Sequence, residues 1–154
     1  MPTYSQTSKD RLALAHPDLQ ILFYWIIKYY DCTIADSYRT KVDQNKFFDQ
    51  GLSQVKYPTV HNTKPSFAVD VVPYIEGGIS YDEKQDLHFA GFVEAMAAML
   101  YEKGIMVHKL RCGSNWKGDH VFIGEKYKKR FKDPTHFELV MTEDEKKNLV
   151  YYEV

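Results

Sequence analysis

HNTKPSFAVDVV, residues 61–72, joins a histidine to an aspartate across a Pro65-Ser66 kink and sets that aspartate inside an apolar run. AVDVVPY (68–74) is short and rich in β-branched residues, the composition of a strand. Side chains alternate along a strand, so Asp70 points away from Val69 and Val71. A carboxylate buried there without a partner costs free energy, and a metal ion or hydrogen-bond donor removes that cost. HFELVM (136–141) has the same two-faced form, with His136 and Glu138 on one side and Phe137, Leu139 and Met141 on the other. Two such strands bury their apolar faces together and leave metal-capable groups on the opposite face.

Outward from these strands, the remaining pattern is mostly helical. SKDRLALA (8–15) reads as a first helix capped by Ser8. In HPDLQILFYWIIKYY (16–30), Pro17 suits a first helical turn, and Leu19, Leu22, Phe23, Ile26, Ile27 and Tyr30 fall on one stripe. CTIADSY is predicted to be a strand, KVDQNKFFDQG a helix closed by Gly51, and residues 52–67 a loop containing Pro58 and Pro65. Gly77-Gly78 turns the chain. A long helix follows over 82–103, with Asp82 and Gln85 as a capping box, Gly104 as its stop, and Leu87, Ala90, Val93, Ala97 and Leu100 as its buried stripe. IMVHKL (105–110) is expected to be a strand and RCGSNWKGD (111–119) a loop, and Thr142 with Glu145 caps a last helix. Helices and strands do not alternate regularly. The expected fold is therefore α+β, a small antiparallel or mixed sheet backed by helices, in a single domain over 1–154.

Composition narrows the function classes. The chain has 154 residues, 44% of them hydrophobic, and a formal net charge of −1. That balance offers no electrostatic grip on nucleic acid. Cys32 and Cys112 form no CxxC pair, which excludes a thiolate zinc knuckle and favours two reduced, buried thiols. The N-terminus lacks the apolar stretch of a signal peptide, and ILFYWII is too short to span a bilayer. The expectation is a monomer made in the cytoplasm, with no membrane segment, that needs a separate factor to release it if it acts elsewhere.

His61, Asp70 and His136 together make a donor set suited to a catalytic zinc with a fourth position open to water. In DPTHFEL, Pro134 disfavours helix at Asp133, and a bend there brings a carboxylate beside the site without ligating. That is the placement of a general base. Arg39 in ADSYRT, at a strand end, has the fork to hold a substrate carboxylate or steady an oxyanion. On spacing alone, the same residues also fit a pair of surface histidines and a strand aspartate. His108, in a predicted strand, is the best false ligand. His16 reads as structural, and His88 and His120 as solvated or locally bonded. Glu138 reads as a partner behind the ligands or as plain polar surface. Lys126, Lys128, Lys129 and Arg130 form a basic cluster that is solvated or attracts an anionic polymer. Trp116 packs or lines a cleft.

The chain resembles the zinc peptidases of bacterial cell-wall peptides, which include D-alanyl-D-alanine carboxypeptidases and phage endolysins acting as L-alanyl-D-glutamate endopeptidases. The resemblance rests on Thr59-Val60-His61, Ala68-Val69-Asp70 and Asp133-Pro134-Thr135-His136-Phe137-Glu138-Leu139, supported by SKDRLALAHPDLQILF, ADSYRT and RCGSNWKGD in the family's order. It implies a hedgehog/DD-peptidase-like fold with zinc held by His61, Asp70 and His136. It further implies Asp133 as general base, Arg39 on substrate or transition state, Trp116 on the cleft wall, and a peptidoglycan stem peptide as substrate. The alternatives are the carboxypeptidase activity or a non-catalytic, zinc-containing wall-binding module. Thr59 stands for the usual serine, the interval between His61 and Asp70 is two residues longer than in the short motif, and Ser37-Tyr38-Arg39 and Ser114-Asn115-Trp116 depart from the usual glycine-containing forms.

Overall fold

The structure is a computed structural model that describes residues 1–152. Its centre is an antiparallel sheet in the order β1-β2-β5-β4, built from β1 (Cys32–Asp36), β2 (Ala68–Ile75), β4 (Leu110–Cys112) and β5 (His136–Leu139). A two-residue strand, β3 (Gly78–Ile79), folds back on β2. The helices are α1 (Gln6–Leu12), α2 (Pro17–Ile26), α3 (Lys41–Asp49), α4 (Glu83–Glu102), α5 (Gly124–Lys128) and α6 (Glu143–Lys147). The architecture is α+β, as expected, and the sheet is antiparallel throughout.

One face of the sheet is apolar. Val69, Val71, Phe137 and Leu139 are buried against Leu19, Leu22, Phe23 and Ile26 of α2 and Phe89, Ala90, Val93 and Leu100 of α4. Phe137 meets Phe23 and Phe89 edge-on, with ring centroids 5.5 and 5.9 Å apart. Such contacts add about 0.5–1.5 kcal/mol each to the burial itself. They hold β5 firmly from behind, so the residues on its other face sit on a rigid base. Phe89, not Leu87, continues the buried stripe of α4; Leu87 is only partly covered.

Three local expectations change for identifiable reasons. Ser5, rather than Ser8, caps α1. Ser8 is buried and accepts a hydrogen bond from the Ile34 amide, while Arg11 donates to the Ile34 carbonyl, so α1 satisfies the outer edge of β1. The capping box of α4 is half formed. Asp82 accepts from the Lys84 and Gln85 amides, but the Gln85 amide turns to the Tyr30 hydroxyl.

Residues 105–108, expected as strand, do not pair. Gly104 ends α4 at φ +69°, and the Ile105 and Met106 amides return to the Leu100 carbonyl. The Val107 and His108 amides go to Asp18 Oδ2. With those donors spent, the ladder begins only at Leu110. Cys32 and Cys112 are free and buried, as the sequence implied.

Candidate active site

The register of the sheet builds the site. Asp70 of β2 lies directly opposite His136 of β5, and both project from the face turned away from α2 and α4. His61 arrives from a different direction, on a short 3-10 turn, Val60–Asn62, capped by Thr59. The three side chains converge. His136 Nδ1 lies 3.2 Å from Asp70 Oδ1, His61 Nε2 lies 3.3 Å from His136 Nδ1, and His61 Nε2 lies 3.6 Å from Asp70 Oδ1. Ligand atoms at zinc distances in tetrahedral geometry stand about 3.3 Å from one another. The triangle therefore has the size of one face of a zinc tetrahedron, and its ligand atoms satisfy the spacing for holding one metal ion.

The groups behind the ligands fix which atoms face inward. His61 Nδ1 lies 2.6 Å from the Ser37 carbonyl oxygen, which accepts only from an N–H, so Nε2 presents its lone pair. Glu138 Oε2 lies 2.9 Å from His136 Nε2, which leaves Nδ1 as the inward lone pair. Glu138 thus stands behind His136, a candidate ligand, one of the two places its sequence position allowed. Asp70 divides its oxygens, with Oδ1 toward the histidines and Oδ2 accepting from Arg39 Nη2 at 3.0 Å. Three lone-pair donors face one point, and positive charge there relieves their mutual repulsion.

The electrostatics agree. Burial disfavours a charged Asp70, but the two imidazoles outweigh it and hold its carboxyl well below the usual carboxylate range. Burial likewise opposes a charged His136, but its hydrogen bonds to the Asp70 and Glu138 carboxylates prevail and push the ring up to about 9. A proton on Nδ1 thus supplies there the positive charge that a metal ion would replace. The pocket selects for a cation, and the donor set of two imidazoles and a carboxylate fits zinc.

Arg39 is buried and largely committed. Its Nε donates to Asp36 Oδ2 at 2.7 Å, Nη1 to Gln44 Oε1 at 2.8 Å and Nη2 to Asp70, and the guanidinium lies 4.6 Å from the Phe47 ring. A register shift between Ile34 and Asp36 turns the chain here and aims Asp36 and Arg39 at the site. The structure therefore places Arg39 beside a candidate ligand, still on the cleft wall.

Asp133 stands outside the ligand triangle yet lines the same cleft. Burial and the nearby Asp70 charge raise its pKa above the ordinary carboxylate value, a shift that favours proton uptake. Its seat is made by Gly113, which exchanges backbone hydrogen bonds with the Asp133–His136 turn: the Asp133 amide donates to Gly113 O and the Gly113 amide to His136 O. A Cβ at Gly113 would overlap the Asp133 carbonyl oxygen. Glycine is required there by close approach, which explains one residue of the RCGSNW segment that sequence reasoning did not interpret.

Trp116 covers the site's edge, its ring 5.4 Å from that of His136 and stacked on Phe131 at 6.5 Å. Arg111 lies over the Trp116 ring and reaches Glu138 Oε1 at 3.4 Å. The cleft, about 380 Å³, runs from Trp116 and Phe131 past the triangle to residues 51–55. Gln44 was not singled out in the sequence. It is fully buried, accepts from Arg39, and donates to Ser53 Oγ and the Val55 carbonyl on the cleft wall.

The family model of the phage L-alanyl-D-glutamate peptidases matches residues 2–140, and the chain belongs to that family of peptidases. The L-alanyl-D-glutamate peptidase of Escherichia phage T5 is 29% identical to it over 139 residues, spanning 89% of this chain and 97% of the phage protein. The crystal structure of the Serratia marcescens L-Ala D-Glu endopeptidase ChiX matches with a TM-score of 0.66 and 23% identity over 90% of each chain, a likeness of fold. No helix among the described residues is long and apolar enough to cross a membrane.

Proposed function

We propose that this chain acts as one zinc peptidase domain that cleaves the L-alanyl-D-glutamate bond of bacterial peptidoglycan stem peptides. His61 Nε2, Asp70 Oδ1 and His136 Nδ1 are the zinc ligands in this reading. A zinc ion held by them would supply Lewis acidity, lowering the pKa of a bound water and polarising the scissile carbonyl. Asp133 takes the proton from the attacking water and passes it to the leaving amine, and its raised pKa suits both transfers. Arg39 keeps the Asp70 carboxylate aimed and adds positive charge beside the oxyanion. Trp116 and Phe131 supply an apolar wall along which a short peptide lies, and they restrict water near His136.

One observation carries the reading: three outward-anchored lone-pair donors stand 3.2–3.6 Å apart in a cleft that also holds a separate acid. The test is digestion of purified cell wall with and without a chelator, followed by mass spectrometry of the released muropeptides. New alanine carboxyl and glutamate amine termini, formed only with metal present, are expected. Cleavage at a terminal D-alanine instead, or digestion indifferent to the chelator, would overturn it.

A further inference from the structure

His61 is the candidate ligand that lies outside the sheet, held on its inner side by the Ser37 carbonyl at Nδ1 and by the Arg39 amide at its own carbonyl, 2.8 Å away. Asp70 and His136 sit within the sheet, whereas His61 rides on a three-residue 3-10 turn that follows an irregular stretch over 50–59. Short turns outside a ladder open at low free-energy cost. Something must hold this one, and the inner side is only part of the answer. Asn62 is fully buried, accepts from the Thr59 amide at 2.7 Å and donates to the Arg39 carbonyl at 2.7 Å.

The outer side is held by residues 141–152, which fall beyond the 2–140 matched to the peptidase family. They are fixed at both ends. At the near end, Thr142 and Glu145 form a reciprocal capping box that starts α6. Glu145 gives its other oxygen to His108 Nε2 at 2.8 Å, and His108 Nδ1 lies 2.8 Å from Asp18 on α2. At the far end, Tyr151 pairs with Thr63 as an antiparallel bridge, and the Tyr152 amide donates to the Asn62 carbonyl at 3.1 Å. The Tyr151 ring meets Tyr57 edge-on, and the Lys64 ammonium lies between the Tyr152 and Tyr38 rings, 5.1 and 4.5 Å from their centroids. These contacts bracket His61 on residues 57–64.

We infer that residues 141–152 are a strap that positions His61 for metal binding, with the Tyr152 backbone and the Glu145 anchor as its positioning groups. The inference rests on the zinc reading above. The strap touches neither the metal triangle nor the cleft; it acts by narrowing the range of positions that His61 Nε2 visits.

Tyr152→Pro tests it in the full chain, because proline removes the donated N–H while altering a partly exposed residue. Two readouts are taken: amide hydrogen exchange over residues 60–63 in the metal-free protein, and the zinc dissociation constant by chelator competition. The expected result is exchange at least tenfold faster at those amides and a three- to tenfold weaker zinc affinity. Tyr152→Phe, which keeps both the amide and the ring, should match the wild type in both. Glu145→Gln should move both readouts the same way by a smaller factor.

Exchange and affinity within twofold of wild type in Tyr152→Pro would overturn the strap. So would faster exchange with unchanged affinity, since the segment would then be a brace with no bearing on the ligand. If the wild type itself binds no zinc, the metal reading fails along with the inference, and that failure shows before any variant is compared.

Discussion

Among the described residues, two clusters of histidine and carboxylate meet the spacing for a metal site: His61, Asp70 and His136, and His16, Asp18 and His108. They differ in where the ligand atoms are spent. In the first, each histidine turns one nitrogen outward, to the Ser37 carbonyl or to Glu138, and keeps the other for the shared centre. In the second, His108 has a carboxylate at both nitrogens, Asp18 at 2.8 Å and Glu145 at 2.8 Å, while His16 Nδ1 accepts from the Asp18 amide as a helix cap. Asp18 Oδ2 also takes two backbone amides. His136 also has a carboxylate near each nitrogen, Asp70 at 3.2 Å and Glu138 at 2.9 Å. The difference therefore lies in the other groups: Asp70 Oδ1 faces only the two imidazoles, whereas Asp18 Oδ2 and His16 Nδ1 are already taken by backbone amides. Proximity of ligand types is thus the weaker criterion; unspent lone pairs, oriented from behind, separate a metal centre from an ion-pair cluster that ties elements together.

That contrast breaks most sharply at the ligands. His136→Ala should lose both bound zinc and peptidase activity, measured by metal analysis and wall digestion, while His108→Gln should retain zinc at full stoichiometry. Next in size, Asp133→Asn should keep its zinc and lose about 10²–10⁴-fold in kcat, the range for removing a general base. Gly113→Ala should also lower kcat with zinc retained, because the added methyl displaces the Asp133 backbone. Near-normal turnover in Asp133→Asn would remove it from the mechanism.

Smaller effects probe the groups behind the ligands. Glu138→Ala frees the His136 ring and should weaken zinc binding by about 10–100-fold in chelator competition. Asp18→Ala should keep zinc at full stoichiometry and cost about 3 kcal/mol of unfolding free energy, since it strands a buried partner and two amides.

The smallest effect depends on pH. Burial opposes a charged His108, but its bonds to Asp18 and Glu145 raise its pKa above the ordinary 6.5. Between 6.5 and that raised value the folded chain binds more protons than the unfolded one, so this contribution is complete below 6.5 and fades as pH rises through the folded pKa. Glu145 is shifted the other way: burial opposes its charge, but the Thr142 amide and His108 outweigh burial, so its contribution fades as pH falls below 4.5. The thermal midpoint gap between wild type and His108→Gln should therefore be widest between 4.5 and 6.5 and narrow on either side. A gap that widens from neutral to alkaline pH would contradict a charged His108.

Much of this site was legible because it is written in strands. Alternation along AVDVV and HFELV separates core from ligand face whatever the neighbouring contacts, and the register that sets Asp70 against His136 follows from burying Val69 and Phe137 together. The bend that carries Asp133 into the cleft was legible because proline restricts the residue before it. What stayed hidden depends on backbone groups and on partners distant in sequence. The Ser37 carbonyl behind His61 has no side-chain signature, and the role of Gly113 appears only when β4 and β5 are brought side by side. IMVHKL carries a strand-like pattern, but Gly104 and Asp18 claim its amides first. The hold of Tyr151 and Tyr152 on the His61 turn joins residues nearly ninety positions apart with no motif between them.

The most direct test is a crystal structure of the zinc-loaded protein, with the ion located by anomalous scattering at the zinc edge. One ion is expected, within about 2.0–2.2 Å of His61 Nε2, Asp70 Oδ1 and His136 Nδ1, with Asp133 outside its coordination sphere. An ion bound instead among His16, Asp18 and His108, or zinc that stays bound when His61, Asp70 and His136 are all replaced by alanine, would contradict the account.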